Sequence, residues 1–400
     1  MKITMPIANL NKALDSFKVI LNDALLADDK RNIILWKKED GVKLVAKNDI
    51  IDCICDIETA SAVDGSVNEM QSIKFKELQG VLDGFKSLRV TQATNITFEF
   101  LDNFIAVEVE EEPIDKDSDY AEKLYRTNKY QLSKSKPVSD VQRNEILAVS
   151  LSDEGTVINK DDIIPYFASL LPTVKDMREG VPTRFNVVGD YIYTTPMSFA
   201  ALMYNTVPEF KDFILTSSAA NFMKSFFELE DRTYINIEAI NENAKIVRLS
   251  NSMAMAVVKT ISTKKAFNVA NYVELPNTGV AVDKGYFCDV IKRFTNNAEA
   301  IKITVKPEEI VLKQSRVTMS VPVYTARLED TFTEMTFSVN ANVLSNLVFA
   351  HANFSSLLFI YFKKVGNKWA VSFTDDSFVN DTDGSKKHLW WTGANFKDNR

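Results

Sequence analysis

The sequence repeats one short pattern, in which a strand runs into a capped amphipathic helix that two or three further strands follow. The segments that carry it most clearly are DFILTSSAANFMKSFF (212–227), TGVAVDKGYFCDVIKRF (278–294) and MTFSVNANVLSNLVFA (335–350). Thr216, Asp283 and Asn340 stand where an N-cap side chain accepts the first free backbone N–H groups of each helix. With a less regular third unit, we predict six units in 400 residues.

The apolar residues of the predicted helices recur at i, i+3, i+4 and i+7, and the following strands alternate partially. These stripes are Leu10, Leu14 and Phe17; Leu78, Val81, Leu82 and Phe85; Phe222 and Phe226; Phe287, Val290, Ile291 and Phe294; and Val343, Leu344, Leu347 and Val348. One stripe and one strand face bury little alone, so we expect neighbouring units to pair.

The predicted fold class is therefore α+β, with three tandem domains of two β-α-β-β-β repeats each. We place domain 1 at 1–112, a polar linker or excursion at 113–145, domain 2 at 146–265, and domain 3 with a short C-terminal tail at 266–400. The alternative is an ordinary α+β succession without true repeats.

The composition, 46% hydrophobic and 25% charged, is typical of a soluble globular protein. No apolar run reaches the roughly 18 residues that span a bilayer, and the first residues lack a signal-peptide pattern. We interpret Cys53, Cys55 and Cys288 as buried free thiols in a reducing compartment, and we expect a cytoplasmic protein.

Motifs of the common catalytic classes are absent, including GxSxG, HExxH, GxGxxG and the Walker-type phosphate loop. Only two histidines occur, His351 and His388, and each is isolated in the sequence. The acidic stretch DKDSDY (115–120) has Tyr120 where a calcium loop needs glycine. We therefore predict that the chain is not an enzyme and that it needs neither a cofactor nor a metal.

Basic residues lie on or just after five of the predicted helices, although the net charge of the chain is −7. They are Lys12, Lys18, Lys86, Arg89, Lys175, Arg178, Lys224, Lys292 and Arg293. If the helices share one concave surface, these side chains would contact DNA phosphates without reading bases. The alternative is a set of solvated helix faces, because acidic residues accompany the basic ones, namely Asp15, Asp83, Asp176, Glu228 and Asp289.

The order of these units resembles that of DNA polymerase sliding clamps, specifically the three-domain bacterial polymerase III β-subunit type. MKITMPIANLNKAL (1–14) is similar to the opening of that family, and VELPNTGVAVDKGYFCDVIKRF (273–294) is similar to its Leu-Pro junction with the strand and helix that follow. MTFSVNANVLSNLVFA resembles the start of its last repeat. The low identity of these segments suggests a replication system of its own, such as a virus's.

The resemblance implies a clamp fold in which each chain forms half of a closed ring, two chains joining head to tail around duplex DNA. It implies a processivity factor that binds double-stranded DNA without sequence preference and binds a polymerase and a clamp loader through short peptides. It also implies an apolar peptide pocket between domains 2 and 3. The corresponding residues here are Thr195, Pro196, Met197, Phe199, Val269, Tyr272, Val273, Trp390 and Trp391.

Two other interpretations stay open at this point. Trp390 and Trp391 would be ordinary sheet residues if no pocket forms. A structural repeat protein, such as a viral shell or fibre component without a DNA role, is the rival from another class, and a two-domain trimeric clamp is the rival within the class.

Overall fold

The structure is a computed structural model of the whole chain, and its described residues cover most of every predicted unit. These residues are 1–21, 31–39, 41–57, 60–63, 65–86, 90–117, 120–148, 155–174, 184–194, 199–241, 244–266, 278–294, 299–328, 332–341, 344, 356–365, 368–375 and 389–397. None of the helices in these ranges is long and apolar enough to cross a membrane.

The first two repeats follow the predicted β-α-β-β-β order. Repeat 1 consists of β1 (Lys2–Pro6), α1 (Ile7–Leu21), β2 (Asn32–Lys37), β3 (Val42–Lys47) and β4 (Ile51–Ile57), with the short strand β5 (Ser61–Val63) after it. Repeat 2 consists of β6 (Met70–Lys74), α2 (Phe75–Asp83), β7 (Thr91–Phe100), β8 (Phe104–Pro113) and β9 (Arg126–Ser133), with α3 (Asp140–Ala148) after it.

The same order continues to the end of the chain. Repeat 3 consists of β10 (Thr156–Asn159), α4 (Lys160–Val174), β11 (Arg184–Val188), β12 (Tyr191–Thr194) and β13 (Phe199–Tyr204). Repeat 4 consists of β14 (Phe213–Thr216), α5 (Ser217–Phe227), β15 (Arg232–Asn241), β16 (Ala244–Ser250) and β17 (Ala254–Lys259). Repeat 5 consists of β18 (Gly279–Asp283), α6 (Lys284–Lys292), β19 (Ala300–Val305), β20 (Glu309–Gln314) and β21 (Val317–Arg327).

Repeat 6 consists of β22 (Met335–Asn340), β23 (Leu357–Val365), β24 (Lys368–Asp375) and β25 (Leu389–Lys397), together with a predicted helix. Ala341 and Leu344 are helical, and the rest of that predicted helix lies outside the described residues. Asp283 and Thr216 are N-caps as predicted, since their side chains accept the N–H of Tyr286 (2.7 Å) and of Ala219 (3.2 Å).

The first strand of each repeat pairs with a strand of the neighbouring repeat, and β18 also pairs with the end of β21 in its own repeat. β1 pairs with β7 while β6 pairs with β2. The same exchange joins β10 to β15 and β14 to β11, and then β18 to β23 and β22 to β19. Because neither repeat of a pair has a complete sheet without the other, the repeats act in twos, which confirms the predicted pairing. The exact domain boundaries stay predictions.

The last strand of a repeat, which is the third strand after its helix, connects one pair of repeats to the next. We call it the third strand. β4 of repeat 1 pairs antiparallel with β17 of repeat 4, and β13 of repeat 3 pairs antiparallel with β25 of repeat 6. Four of the six third strands are used in this way. The remaining two are β9 of repeat 2 and β21 of repeat 5.

The chain divides into two compact units. Unit 1 comprises Met1–Lys160, Ser225–Ile240 and Ile246–Lys259, and unit 2 comprises Asp161–Lys224, Asn241–Lys245 and Thr260–Arg400. Unit 1 holds a five-stranded sheet of order β5-β1-β7-β8-β9 and an eight-stranded sheet of order β10-β15-β16-β17-β4-β3-β2-β6. Unit 2 holds a twelve-stranded sheet of order β14-β11-β12-β13-β25-β24-β23-β18-β21-β20-β19-β22. The predicted second domain thus contributes strands to both units.

The predicted helix stripes form much of the core. The buried members are Leu10, Leu14, Phe17, Leu78, Leu82, Phe222, Phe226, Phe287, Val290, Ile291, Phe294 and Leu344. Burial of these apolar side chains is the main driving force for folding, at about 25 cal/mol for each Å² removed from water.

Residues 113–145, which the sequence pattern predicts as a polar linker or excursion, contain β9 and the start of α3. Ile146 of α3 packs into a cluster with Ile34, Trp36, Val45, Ile54 and Met70. These residues lie on the opposite face of the sheet from Cys55, which lies beside Ala13 and Ser16 of α1. The run Ile33–Trp36 is therefore buried on both faces of β2, which explains why it is continuously apolar.

Equivalent asparagines direct the chain into the paired third strands β4 and β17. The side-chain oxygen of Asn48 accepts the N–H groups of Ile50 (2.8 Å) and Ile51 (2.7 Å). That of Asn251 accepts the N–H groups of Met253 (3.0 Å) and Ala254 (2.8 Å). Such Asx turns satisfy backbone donors that have no sheet partner at the bend.

We expect Asn251→Ala to lower the free energy of unfolding by about 1–3 kcal/mol, because two backbone donors lose their acceptor. Asn251→Ser is the matched control, because its hydroxyl oxygen can accept backbone N–H groups in a turn of the same kind. It also removes Nδ2, which has no hydrogen-bond partner among the described residues, without adding a charge. Urea denaturation measures both variants, and an alanine variant as stable as the serine variant contradicts this role.

Candidate nucleic-acid interface and subunit edges

Three described helices end in an ion pair of the same spacing. Lys18 pairs with Asp15 on α1, Lys86 with Asp83 at the end of α2 (2.5 Å), and Lys292 with Asp289 on α6 (3.0 Å). All six side chains are exposed by more than a third. Exposed pairs of this kind add little to stability, so these lysines can exchange a carboxylate for another anion.

The pairs on α1 and α2 are close enough to influence each other. The pKa of Lys86 is raised, chiefly by its hydrogen bond to Asp83, and the carboxylate of Asp15 on α1 adds to the rise. Within unit 1, the charge of Asp15 on α1 therefore influences the lysine that follows α2.

The other predicted DNA-facing residues have different surroundings. Lys12 of α1 is exposed and places Nζ 2.8 Å from Sδ of Met253, in the turn between β16 and β17. Lys224 is partly buried on α5, whereas Arg293 is exposed directly after α6. Arg89, Lys175 and Arg178 lie outside the described residues. Contact with DNA stays a prediction for all nine.

The predicted peptide pocket falls mostly outside the described residues, which exclude Thr195, Pro196, Met197, Val269, Tyr272 and Val273. The remaining three residues lie on adjoining strands of unit 2. Phe199 of β13 pairs with Gly393 of β25, and Trp391 and Trp390 of β25 pair with Ala201 and Leu202. The junction of repeats 3 and 6 thus brings these backbones together, and the pocket itself stays a prediction.

β9 is the edge strand of the five-stranded sheet, and only Leu132 of its eight residues is buried. The N–H of Ser133 donates to the Glu77 carboxylate (2.7 Å), so it points away from β8. Because N–H directions alternate along a strand, those of Thr127, Lys129 and Gln131 also point toward the open edge.

β21 also has an open side along its first half. β20 pairs with Val317–Pro322, whereas β18 pairs with the later residues Val323–Arg327. Val323 donates its N–H to the carbonyl of Glu308 beside β20 (2.9 Å), so the nitrogen of Pro322 points away from β20. Proline has no backbone N–H, so it is tolerated at a position where the neighbouring strand does not need a donor. The open edge of β21 ends at Pro322.

The sequence pattern predicts a strand at β21 but did not single out β9. Tyr130 and Leu132 alternate with Lys129 and Gln131, which is a strand signal, but polar neighbours concealed it. The ring of Tyr130 stands edge-on to that of Phe85 beyond α2, with 6.0 Å between centroids. The apolar side of β9, which carries Tyr130 and Leu132, therefore faces α2.

Solved structures similar to this chain are bacterial sliding clamps. The β subunit of DNA polymerase III from Thermotoga maritima aligns with a TM-score of 0.70 and 11% identity over 98% of both chains. The sliding clamp from Caulobacter crescentus aligns with a TM-score of 0.69 and 14% identity over 98% of both chains. The Helicobacter pylori beta clamp bound to a DNA ligase peptide aligns with a TM-score of 0.62 and 15% identity over 98% of this chain and 99% of that chain.

No protein-family model matches the sequence, and no curated protein matches it. The structural likeness nevertheless covers almost the whole chain, including all six repeats. The protein therefore has the three-domain fold of the bacterial polymerase III β sliding clamps, as the sequence resemblance predicted. These matches give no support to the viral origin suggested above.

Proposed function

We propose that the protein is a DNA sliding clamp, a ring that encircles duplex DNA and tethers a replicative polymerase as a processivity factor. The observation that carries the proposal is the way in which third strands of different repeats pair with each other. Two of the three junctions that six repeats can form are present within the chain, β4 with β17 and β13 with β25. The strands left over, β9 and β21, are the ones that a second copy would need.

In the proposed ring, β9 of one chain pairs antiparallel with β21 of its partner, at both contacts of a head-to-tail homodimer. β9 is open along its length and β21 along its first half, and most residues of both strands are exposed. Their apolar side chains suit such a junction, because Tyr130 (36% exposed) and Val317 (45% exposed) would be covered. Pairing also hides two edges that would otherwise promote aggregation.

Basic helix ends support the DNA role. A ring does not need tight contacts, since its topological link prevents loss, and scattered lysines that meet phosphates allow it to slide. The overall negative charge discourages side-on adhesion of the outer surface to DNA. The proposal includes no catalytic step.

We also propose that a polymerase and a clamp loader bind through short peptides near the β13–β25 junction. The Helicobacter pylori clamp with a similar fold was solved with a DNA ligase peptide, which supports this type of partner. Cytoplasmic action fits the three cysteines, which are buried and free.

Loading onto DNA circles tests the proposed function. We expect the protein to run at about twice its chain mass of 45.1 kDa and to remain on nicked circular duplex in high salt. Cutting the circle with a restriction enzyme should release it, because a sliding ring leaves through a free end. Blocking both ends of the cut DNA with a bound protein is the control and should restore retention.

Retention that survives cutting without blocks would contradict a sliding ring. A mass near three chains would indicate a trimeric clamp instead. Larger or heterogeneous assemblies without DNA retention would favour a structural repeat protein.

A further inference from the structure

The repeated Asp-Lys spacing on the helix ends suggests a role for the acidic partner. Asp15, Asp83 and Asp289 each stand three residues before a lysine, on helices of repeats 1, 2 and 5. No backbone cap or turn among the described residues uses these carboxylates, so helix structure does not require them.

An aspartate in the last turn is unfavourable for the helix itself, and Asp83 and Asp289 lie in the last turns of α2 and α6, whereas Asp15 lies earlier in α1. A negative charge near the C-terminal end opposes the helix dipole, which favours cations there. Repeat 4 has Asn221 three residues before Lys224, and the amide of Asn221 donates to the carbonyl of Ser217 (2.8 Å). An uncharged side chain is therefore compatible with the fold at this position.

The carboxylates also act across helices. Asp15 of α1, which pairs with Lys18, also contributes to the field at Lys86, which is already bonded to Asp83. A phosphate approaching either lysine meets a nearby carboxylate of its own sign. Such a surface attracts DNA less than its lysine count indicates.

We propose that Asp15, Asp83 and Asp289 are affinity-limiting residues that neutralise the DNA-facing lysines and so keep the ring loose on the duplex. This inference rests on the proposed function. A dimer contains six of these carboxylates, and each of them lowers the attraction between its lysine and DNA phosphate. The ring then depends on its topological link for retention and on weak, exchangeable contacts for sliding.

The triple variant Asp15→Asn, Asp83→Asn, Asp289→Asn tests this role. We expect its affinity for a short fluorescent duplex to rise about 10-fold or more at low salt, since three repelling charges per chain are removed. The salt dependence should steepen by up to about 0.9 log units per log unit of salt for each site. Fluorescence anisotropy over a salt series measures both quantities.

The matched control is Glu112→Gln, Glu238→Gln, Glu309→Gln. It makes the same charge change at carboxylates of strands β8, β15 and β20, which pair with Lys116 (3.1 Å), Arg248 (2.9 Å) and Lys306 (3.0 Å). We expect it to bind DNA like the wild type. An equal gain in both variants would show a general charge effect and would overturn the local role.

Retention on DNA circles separates this inference from the proposed function. A wild-type ring that is retained and released normally, with an aspartate variant of unchanged affinity and salt slope, overturns the inference alone. Absence of retention for the wild type and the variant overturns both. With the inference correct, the variant should also leave cut DNA more slowly than the wild type.

Discussion

A proline at Gln131 of β9 is expected to leave the chain folded but monomeric, and to abolish its retention on circular DNA. The N–H of Gln131 points to the open edge, because that of Ser133 two residues later does so. The substitution therefore removes a donor that β8 does not use, and its ring blocks an incoming strand. We expect the dissociation constant of the dimer to rise about 100-fold or more, equivalent to roughly 3 kcal/mol. Analytical ultracentrifugation over a concentration series measures it.

Gln131→Ala is the control for this prediction, because it shortens the same side chain but keeps the backbone N–H. It should dimerise like the wild type. Thermal unfolding and circular dichroism establish that the proline variant is folded, and Lys129→Pro gives a second test on the same edge. If both proline variants are folded and still form dimers of wild-type affinity, β9 is not the closing strand.

The helices and most strands of the fold could be predicted because the spacing of their apolar residues indicates which face of each element is buried. Phe17, Phe222 and Phe287 each belong to the helically spaced apolar stripe of a different helix, and each is fully buried. Asp283 and Thr216 cap helices through bonds to residues only three positions away. Such short-range patterns depend on the segment alone, so the six repeats and their pairing were accessible from the sequence.

β9 and α3 were not accessible in the same way, because both depend on distant parts of the chain. β9 is held by its pairing with β8, and its exposed residues read as a polar linker. Among the residues of α3 whose burial the structure describes, only Ile146 is buried, in a cluster formed by β2, β3, β4 and β6. A better signal was on the other side of that contact, where the unbroken apolar run Ile33–Trp36 indicates a strand covered on both faces.

The charges of the candidate interface illustrate a different limit. The sequence placed Lys18, Lys86 and Lys292 on helices, and it showed acidic residues nearby. It could not show that the charges of two helices influence each other, because the approach of α1 to α2 decides that. The i, i+3 pairs were within reach of sequence reasoning, whereas the influence of Asp15 on Lys86 required the tertiary structure.

Replacing Lys18, Lys86, Lys292 and Arg293 together with alanine is expected to weaken DNA binding about 100-fold or more at low salt, because each side chain neutralises a phosphate. The magnitude of the salt slope should fall by about 3 to 4 per chain. Stability should hardly change, since Lys86, Lys292 and Arg293 are exposed and the side chain of Lys18 is 39% exposed. Anisotropy titrations over a salt series and thermal unfolding measure the two effects.

The control for the lysine variant has the same charge change on the sheets and loops, at Lys43, Lys116, Arg248 and Lys306. These residues are also in ion pairs, with N–O distances of 2.9, 3.1, 2.9 and 3.0 Å. If the ring holds DNA inside, the helix variant should bind duplex DNA more weakly and the control variant should bind it like the wild type. The reason is that only the helix ends face phosphate. Equal losses would mean that the duplex binds through the net charge of the chain, and the helix ends would then have no special part in holding it.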